Sequence, residues 1–198
     1  MKKLLIATRS RGKFPEMTAL LAGLPFELMN LNDLPELENF TVEEVGTTFE
    51  GNALLKAILY GKKANLLTLA DDSGLEVDAL SGRPGVYSAR YAPGSDKDRY
   101  EKLLEELRGV PEADRTARFR AVVAVYDPEN DRVRLAEGTA EGRILTTPEG
   151  SNGFGYDPVF WNAKMQKGNA EMTFEEKNIC SHRGEAFEKI RDILKQDF

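Results

Sequence analysis

Hydrophobic positions along the chain follow two different periods, one typical of strands and the other of helices. Residues 117, 119, 121, 123 and 125 are all apolar, and this alternation predicts a strand over Ala117–Val125 that is at least half-buried. In Thr48–Ala64 the apolar residues instead recur every three or four positions, at 49, 53, 57, 60 and 64. That spacing is typical of an amphipathic helix.

The same two patterns predict the remaining elements of the chain. Strands are expected at Lys3–Ala7, Phe26–Asn30, Leu66–Ala70 and Arg132–Ile144, and helices at Lys13–Leu21, Asp98–Arg108 and Gly184–Lys195. The strand Arg132–Ile144 should form a hairpin with Ala117–Val125. Helices and strands are mixed throughout, and a long antiparallel pair lies in the second half. We therefore expect an α/β fold with a mixed β-sheet.

Composition restricts the classes of protein to which the chain can belong. Its 198 residues are 41% hydrophobic and 30% charged, which suits one globular domain spanning residues 1–198. Apolar runs such as Leu4–Ala7 fall far short of the ~20 residues of a membrane span, and the first is too short for a signal peptide. The single cysteine, Cys180, excludes an internal disulfide. We expect a cytoplasmic protein that does not bind a membrane.

The net charge of −6 argues against binding to the backbone of a nucleic acid polymer. A small polyanionic ligand would need local cations, and a metal, to offset this field. Several basic residues lie beside Gly, Ser or Asn clusters, where phosphate contacts are expected: Arg9, Arg11, Lys13, Lys56, Lys177 and Arg183.

The segment Thr8–Lys13 lies between a predicted strand and a predicted helix. Backbone N–H groups at a helix N-terminus favour an anion, and Lys13 adds a positive charge. The spacing is not that of a Walker A loop. By itself, the segment fits an anion site or an ordinary polar connection.

Acidic residues occur in two separate stretches. Glu43 and Glu44 precede the helix on which Asn52 and Lys56, four positions apart, share one face. One glutamate could ligate Mg²⁺ while Lys56 holds a phosphate, but the segment taken alone is better explained as a solvated acidic loop before the helix. Asp71 and Asp72 follow an apolar strand, where they either form an ordinary Asp-Ser-Gly turn or contribute to a metal site. Because successive strand side chains alternate in direction, we expect only one of the two to reach such a metal.

Two later segments carry candidate binding residues. In Gly153–Pro158, Phe154 could stack on a nucleobase and Asp157 could accept from a ring N–H, or the segment is a turn whose Phe154 packs in the core. In Lys177–Gly184 the only histidine, His182, adjoins Arg183 and has either a structural or a binding role. The glycine- and proline-rich loop Ser81–Tyr91 has no role that its residue types reveal.

In this order, the segments closely resemble the inosine/xanthosine triphosphate pyrophosphatase family, from Leu5 to about Ile190. The first loop departs from the family pattern, because Ser10 stands where an asparagine is common. The motifs that carry the resemblance are Thr-x-x-x-Gly-Lys, Thr-Phe-Glu-Gly-Asn-Ala-x-x-Lys-Ala, Ala-Asp-Asp-Ser-Gly-Leu-x-Val-Asp-Ala-Leu, Gly-x-Pro-Gly-x-x-Ser-Ala-Arg-Tyr, Gly-Phe-Gly-Tyr-Asp-Pro-x-Phe and Ser-His-Arg-Gly.

The resemblance implies an elongated mixed β-sheet with flanking helices, forming two lobes around a central cleft that holds the active site. It also implies a homodimer. The activity that it implies is Mg²⁺-dependent hydrolysis of non-canonical purine nucleoside triphosphates (ITP, dITP and XTP) to the monophosphate and pyrophosphate. Such a house-cleaning enzyme removes these nucleotides from the cellular pool.

The resemblance also assigns roles to individual residues. Glu44 and Asp72 would be Mg²⁺ ligands, and Asp72 would also be the catalytic base that activates water. The triphosphate would contact Thr8, Arg9, Ser10, Arg11, Gly12, Lys13 and Lys56, with Ser73 beside Asp72 on the substrate. The nucleoside would lie against Phe154, Gly155, Tyr156, Asp157, Lys177, His182 and Arg183.

Two other functions compete with this one. The chain could be a pyrophosphatase of the same fold that acts on other nucleotides, or a nucleotide-binding module that does not hydrolyse its ligand. The carboxylates and lysines named above disfavour the binding module, which would retain inosine triphosphate unchanged after Mg²⁺ is added. The presence of the segments Gly153–Asp157 and Ser181–Arg183 disfavours a pyrophosphatase that acts on other nucleotides.

Overall fold

A seven-stranded sheet organises the chain in the computed structural model, which describes all residues 1–198. Its strands are β1 (Lys2–Ile6), β2 (Phe26–Asn30), β3 (Leu67–Val77), β4 (Thr116–Asp127), β5 (Arg132–Ile144), β6 (Phe160–Asn162) and β7 (Lys167–Gly168). They lie in the order β2-β1-β3-β4-β5-β6-β7. Strand β1 is parallel to β2 and β3, whereas β6 is antiparallel to β5 and β7. The predicted mixed sheet is confirmed.

Five α-helices accompany the sheet: α1 (Lys13–Leu21), α2 (Phe49–Ala64), α3 (Asp96–Glu106), α4 (Phe174–Cys180) and α5 (His182–Asp197). The helices expected from the periodicity are present, with ends displaced by a few residues or fewer, and α4 is additional. No helix has the length and apolar character that crossing a membrane requires.

The hairpin prediction is also confirmed. Strands β4 and β5 are neighbours in the sheet, and only the four residues 128–131 connect them. A parallel crossover needs a dozen residues or more, so a connection this short leaves only the antiparallel arrangement.

Strand β3 is longer than predicted. The strand was expected to end at Ala70, just before Asp71 and Asp72, but β3 continues to Val77. Leu75 and Val77 are fully buried, and their apolar alternation resumes beyond the polar residues. The two aspartates therefore lie on the regular backbone of a strand, which restricts where their side chains can point.

The chain divides into two compact units, each made of segments distant in sequence. The first unit comprises Met1–Asp72, Ala121–Glu137 and Glu185–Phe198. Its core joins apolar residues of β1, α1, β3, β4 and α5, among them Ile6, Met17, Leu69, Val123 and Phe187.

The second unit comprises Ser73–Arg120 and Gly138–Gly184. Its core includes Leu75 and Val77 from β3, Leu103 from α3, and Phe119 and Phe160 from β4 and β6. The rings of Phe119 and Phe160 have centroids 4.7 Å apart.

Candidate active site

Helix α2 presents two polar side chains on one face of the first unit. Thr48 caps the N-terminus of the helix, because its hydroxyl accepts a hydrogen bond from the Gly51 N–H at 3.1 Å. Asn52 and Lys56 are one turn apart on this helix. The Asn52 side chain is completely buried, and only 12% of the Lys56 side chain is exposed.

Lys56 brings the two predicted acidic stretches together. Its ammonium group forms an ion pair with the Glu44 carboxylate and lies 3.5 Å from Oδ1 of Asp72. Glu44 comes from the loop before α2 and Asp72 from strand β3. Two carboxylates that are distant in sequence therefore converge on one positive charge.

Asp71 and Asp72 pair with different lysines. Lys13, the first residue of α1, places its Nζ atom 3.0 Å from Oδ2 of Asp71. We name Lys13, Glu44, Lys56, Asp71 and Asp72 the carboxylate–lysine cluster. Each of these charges has an opposite charge beside it, which is what buried or half-buried ions require.

Burial changes the acid–base properties of this cluster. The pKa of Asp72 is raised because burial disfavours its anion, and the positive charges of Lys56 and Lys13 offset only part of this effect. Burial lowers the pKa of Lys56, but the charges of Asp72, Asp71 and Glu44 outweigh it, so its pKa is raised. Lys56 therefore stays protonated at neutral pH, and Asp72 binds a proton more strongly than an ordinary aspartate.

The hydroxyl groups of the first loop bond to the loop itself. Thr8 Oγ1 accepts from the Ser10 N–H at 3.2 Å, and Ser10 Oγ accepts from the Lys13 N–H at 3.3 Å. These two bonds shape the turn that leads into α1. Arg11 is exposed and Gly12 half-buried at the tip of this loop.

Arg9 holds a neighbouring loop. Its Nη2 atom donates to the carbonyl oxygens of Leu37, Glu38 and Phe40 at 2.7, 3.3 and 3.1 Å. The Tyr60 hydroxyl of α2 donates to the same Phe40 carbonyl at 3.4 Å. In this arrangement the guanidinium group anchors residues 37–40, and a phosphate contact by Arg9 stays a prediction.

Asp157 organises a second cluster, in the second unit. Its Oδ2 accepts from the Phe154 N–H at 2.9 Å and from Lys177 Nζ at 2.6 Å. Its Oδ1 accepts from Asn169 Nδ2 at 3.0 Å. We name Phe154, Asp157, Asn169 and Lys177 the Asp157 cluster. Both carboxylate oxygens are occupied by the protein, so Asp157 positions Phe154 and Lys177.

Phe154 and Lys177 also contact each other directly. The Lys177 ammonium lies 4.5 Å from the centroid of the Phe154 ring, within the range of a cation–π interaction. Gly153 permits the turn before this ring, because its φ is +78° and a Cβ there would lie 2.2 Å from Oδ2 of Asp157. The glycine is thus required both by the backbone angle and by the close approach.

The neighbouring backbone is fixed by residues from other segments. The Gly155 N–H donates to Oδ2 of Asp96 at 2.7 Å, and the Tyr156 hydroxyl donates to the Ser88 carbonyl at 2.8 Å. Burial raises the pKa of Tyr156, so this hydroxyl remains a donor. The loop Ser81–Tyr91, for which the sequence suggested no role, therefore supports the segment that follows Phe154.

His182 and Arg183 occupy the first turn of α5. The His182 ring stacks on Phe119, with centroids 4.9 Å apart and an interplanar angle of 14°. Nη2 of Arg183 donates to Ser73 Oγ at 3.0 Å. The structure thus brings Arg183 to Ser73, two predicted substrate contacts that are 110 positions apart in sequence.

Several residues that hold these side chains and loops in place were not predicted as site residues from the sequence. Asn52 offered a signal, because it lies one helical turn before Lys56 on the same face. Asp96, Ser88 and Asn169 offered none, since their contacts join segments that only the fold brings together.

Glu44 and Asp72 are the residues that could hold a metal. Groups of three or more metal-ligating side chains do not occur in the structure. These two carboxylates, however, already face one cation, the Lys56 ammonium. Mg²⁺ prefers hard oxygen ligands and is commonly held by one or two carboxylates together with substrate phosphates. The donors present therefore fit such an ion, provided that a phosphate ligand completes its coordination.

The chain is similar throughout to proteins of known family. The model of the Ham1 family matches residues 4–193. A dITP/XTP pyrophosphatase of Geobacter sulfurreducens is 47% identical over 98% of this chain and 97% of its own length. A dITP/XTP pyrophosphatase of Bacillus cereus is 44% identical over 100% of this chain and 97% of its own.

The similarity extends to three-dimensional structure. The Staphylococcus aureus Ham1 protein superposes with a TM-score of 0.88 and 38% sequence identity, and the alignment covers 100% of both chains. At this identity and coverage, the likeness reflects both a shared fold and a shared family.

Proposed function

The chain belongs to the Ham1 family, and we propose that it hydrolyses ITP, dITP and XTP to the corresponding monophosphate and pyrophosphate with the help of Mg²⁺. Family membership makes it a nucleoside triphosphate pyrophosphatase, a hydrolase of acid anhydride bonds. The observation that carries the finer proposal is the convergence of Glu44 and Asp72 on Lys56. Oxygen ligands for a cation and a positive charge for phosphate lie side by side there.

Glu44 and Asp72 would hold the metal, as the two carboxylates that already face a cation. When bound, Mg²⁺ supplies positive charge that offsets the charge of the triphosphate and polarises its oxygens. Lys56 and Lys13, which neutralise carboxylates in the free protein, are the cations placed to bind phosphate oxygens. Phosphoryl transfer depends mainly on such positioning and charge stabilisation.

Asp72 is the residue best suited to accept the proton of the attacking water. Its Oδ2 is engaged by Asn52, which leaves Oδ1, the oxygen nearest to Lys56, for the proton. The raised pKa of Asp72 improves it as a base relative to an ordinary aspartate. The carboxylate–lysine cluster contains no serine, threonine or cysteine, and we assign its carboxylates to metal binding and proton transfer.

The Asp157 cluster, with Arg183, is proposed to receive the nucleoside. Phe154 offers an aromatic face for stacking, and Lys177, Arg183 and backbone N–H groups are donors. Hypoxanthine and xanthine carry a 6-oxo acceptor, whereas adenine carries a donor at the same position. A buried mismatch of donors can discriminate by ~10⁴-fold, so adenine nucleotides should be poor substrates.

The proposed activity also sets the cellular role. An enzyme that removes non-canonical purine triphosphates acts on the soluble nucleotide pool, so we place it in the cytoplasm, without nucleic acid polymer or membrane as partner. The homodimer that the family resemblance implies is also part of the proposal. Light scattering of the purified protein would test the dimer, for which a mass near twice the 22.1 kDa of one chain is expected.

The activity is tested by measuring pyrophosphate release from inosine, xanthosine, guanosine, adenosine and thymidine triphosphates, with Mg²⁺ and with a chelator. The expected result is rapid release from inosine and xanthosine triphosphates only when Mg²⁺ is present. Faster turnover of thymidine triphosphate would indicate a pyrophosphatase for other nucleotides. Binding of inosine triphosphate without release would indicate a binding module, and either outcome contradicts the proposal.

A further inference from the structure

Asn52 connects the two acidic stretches of the carboxylate–lysine cluster. Its side-chain oxygen accepts from the Gly46 N–H at 2.8 Å, two residues beyond Glu44. Its side-chain nitrogen donates to Oδ2 of Asp72 at 2.9 Å. The side chain has no exposed surface, so water does not compete for either bond.

The chemistry of the two partners fixes the orientation of this amide. The Asp72 carboxylate only accepts hydrogen bonds, and the Gly46 N–H only donates. The nitrogen of Asn52 must therefore face Asp72, and its oxygen must face Gly46. The reversed amide would set donor against donor and acceptor against acceptor in a buried site, at a cost of about 1–3 kcal/mol for each unsatisfied group.

The two oxygens of the Asp72 carboxylate have different partners. Oδ2 is held by the neutral amide, while Oδ1 lies 3.5 Å from the Lys56 ammonium. The loop before α2 approaches the Asn52 amide so closely that a Cβ on Gly46 would lie 2.5 Å from the Asn52 oxygen. Only a glycine lets the backbone beyond Glu44 lie this close to the amide.

We propose that Asn52 is a positioning residue of the cation site: it fixes Oδ2 of Asp72 and the backbone beyond Glu44 with one amide, so that both carboxylates face the same cation. The inference rests on the proposed Mg²⁺-dependent pyrophosphatase activity. Asn52 itself contacts neither substrate nor metal. Its effect is on the geometry of residues that do.

The test compares Asn52→Asp with Asn162→Asp, which makes the same substitution at a buried amide whose nitrogen faces the Cys180 sulfur at 3.6 Å and no carboxylate. Asn162 is also buried, at 1% exposure, and its side-chain oxygen accepts from the Lys164 and Met165 N–H groups. Both substitutions replace a buried amide by a carboxylate and keep the accepted backbone bonds. Only Asn52→Asp removes the donor to Asp72, so a loss common to both variants reports general destabilisation.

Two readouts are measured for each variant: steady-state hydrolysis of inosine triphosphate, and binding of Mn²⁺ by paramagnetic resonance with a non-hydrolysable inosine triphosphate analogue. Loss of a group that orients metal ligands typically lowers activity or metal affinity about 10–100-fold. We expect a loss of this size in kcat and in Mn²⁺ affinity for Asn52→Asp, with KM changed less than about threefold. Asn162→Asp should match the wild type in both readouts.

Gly46→Ala provides an independent route to the same site, because the new methyl group displaces the Asn52 amide from the loop side. It should reproduce the loss of Mn²⁺ affinity, and it decides the question if Asn52→Asp does not fold. If Asn52→Asp folds and binds Mn²⁺ as tightly as the wild type, the inference is overturned. If Asn52→Asp does not fold, wild-type Mn²⁺ affinity in Gly46→Ala overturns it. A wild-type protein that does not hydrolyse inosine triphosphate overturns the proposed function instead, and the Mn²⁺ comparison still decides the role of Asn52.

Discussion

Replacing Asp157 by asparagine tests the ion pair at the centre of the Asp157 cluster. Three groups donate hydrogen bonds to this carboxylate: Asn169 Nδ2 to Oδ1, and the Phe154 N–H and Lys177 Nζ to Oδ2. An asparagine has one acceptor and one donor end, so in either orientation its NH₂ group faces at least one of these donors. The substitution also removes the negative charge that compensates Lys177.

The size of the effect follows from burial. The Lys177 and Asp157 side chains are only 8% and 4% exposed. Removing one member of a buried pair costs ~3–5 kcal/mol. For a chain of this length, each kcal/mol lowers the melting temperature by roughly 2–4 °C. At the lower limit of ~3 kcal/mol, the expected decrease is therefore about 6–12 °C.

The assay is thermal unfolding combined with nucleotide binding, with two companion variants. Glu185→Gln removes one charge from the exposed Glu185–Lys189 pair, whose side chains are 45% and 52% exposed, and should cost less than ~1 kcal/mol. The double variant Asp157→Asn/Lys177→Met removes both buried charges. It should regain at least half of the lost stability, but it should not regain affinity for inosine triphosphate.

Two results would refute this reasoning. A melting temperature for Asp157→Asn within about 2 °C of the wild type would mean that the buried pair contributes little. A double variant no more stable than Asp157→Asn would mean that the loss comes from the hydrogen bonds to Phe154 and Asn169, and that the charge of Lys177 contributes nothing to it.

Three further predictions concern single residues. Asp72→Asn should lose nearly all turnover in the pyrophosphate assay while its melting temperature changes by only a few degrees, and near-normal kcat would remove Asp72 as the base. Lys56→Met leaves Glu44 and Asp72 without the cation they share, so kcat/KM should fall by ~10²–10³; an unchanged value contradicts a phosphate role. Gly153→Ala strains a backbone with φ of +78° and crowds Asp157, so KM for inosine triphosphate should rise about tenfold, more than kcat falls; equal KM values would show that the turn is not critical.

Local patterns in the sequence were sufficient for the elements that carry the site. The periodicity of Thr48–Ala64 predicted α2, and with it the shared face of Asn52 and Lys56, because both depend on spacing along one helix. The predicted end of β3 was wrong, because the polar residues Asp71–Gly74 interrupt an apolar alternation that resumes at Leu75. Polar residues within a strand resemble a turn unless their partners are known.

The short helix α4 was missed although its start carries a recognisable signal. Thr173 accepts from the Glu176 N–H, and Glu176 accepts from the Thr173 N–H, which is a capping box. By contrast, no local pattern reveals that Asp96 binds the Gly155 N–H, because 59 positions separate the two residues. Contacts of that kind are set by packing, and sequence spacing does not predict them.

The carboxylate–lysine cluster has a consequence for every substitution made in it. It contains two lysines and three carboxylates, so in the free protein the two positive charges offset most of the negative charge. The same groups that would bind phosphate and metal thus already stabilise the fold, because buried charges are tolerated only when paired. Neutralising a single member removes a functional group and weakens the compensation of its partner, so some loss of stability accompanies the loss of activity. The loss of stability is small for Asp72→Asn, because Lys56 keeps its ion pair with Glu44. Loss of turnover alone therefore cannot assign a role here, and only variants that separate geometry from charge, such as Gly46→Ala, can do so.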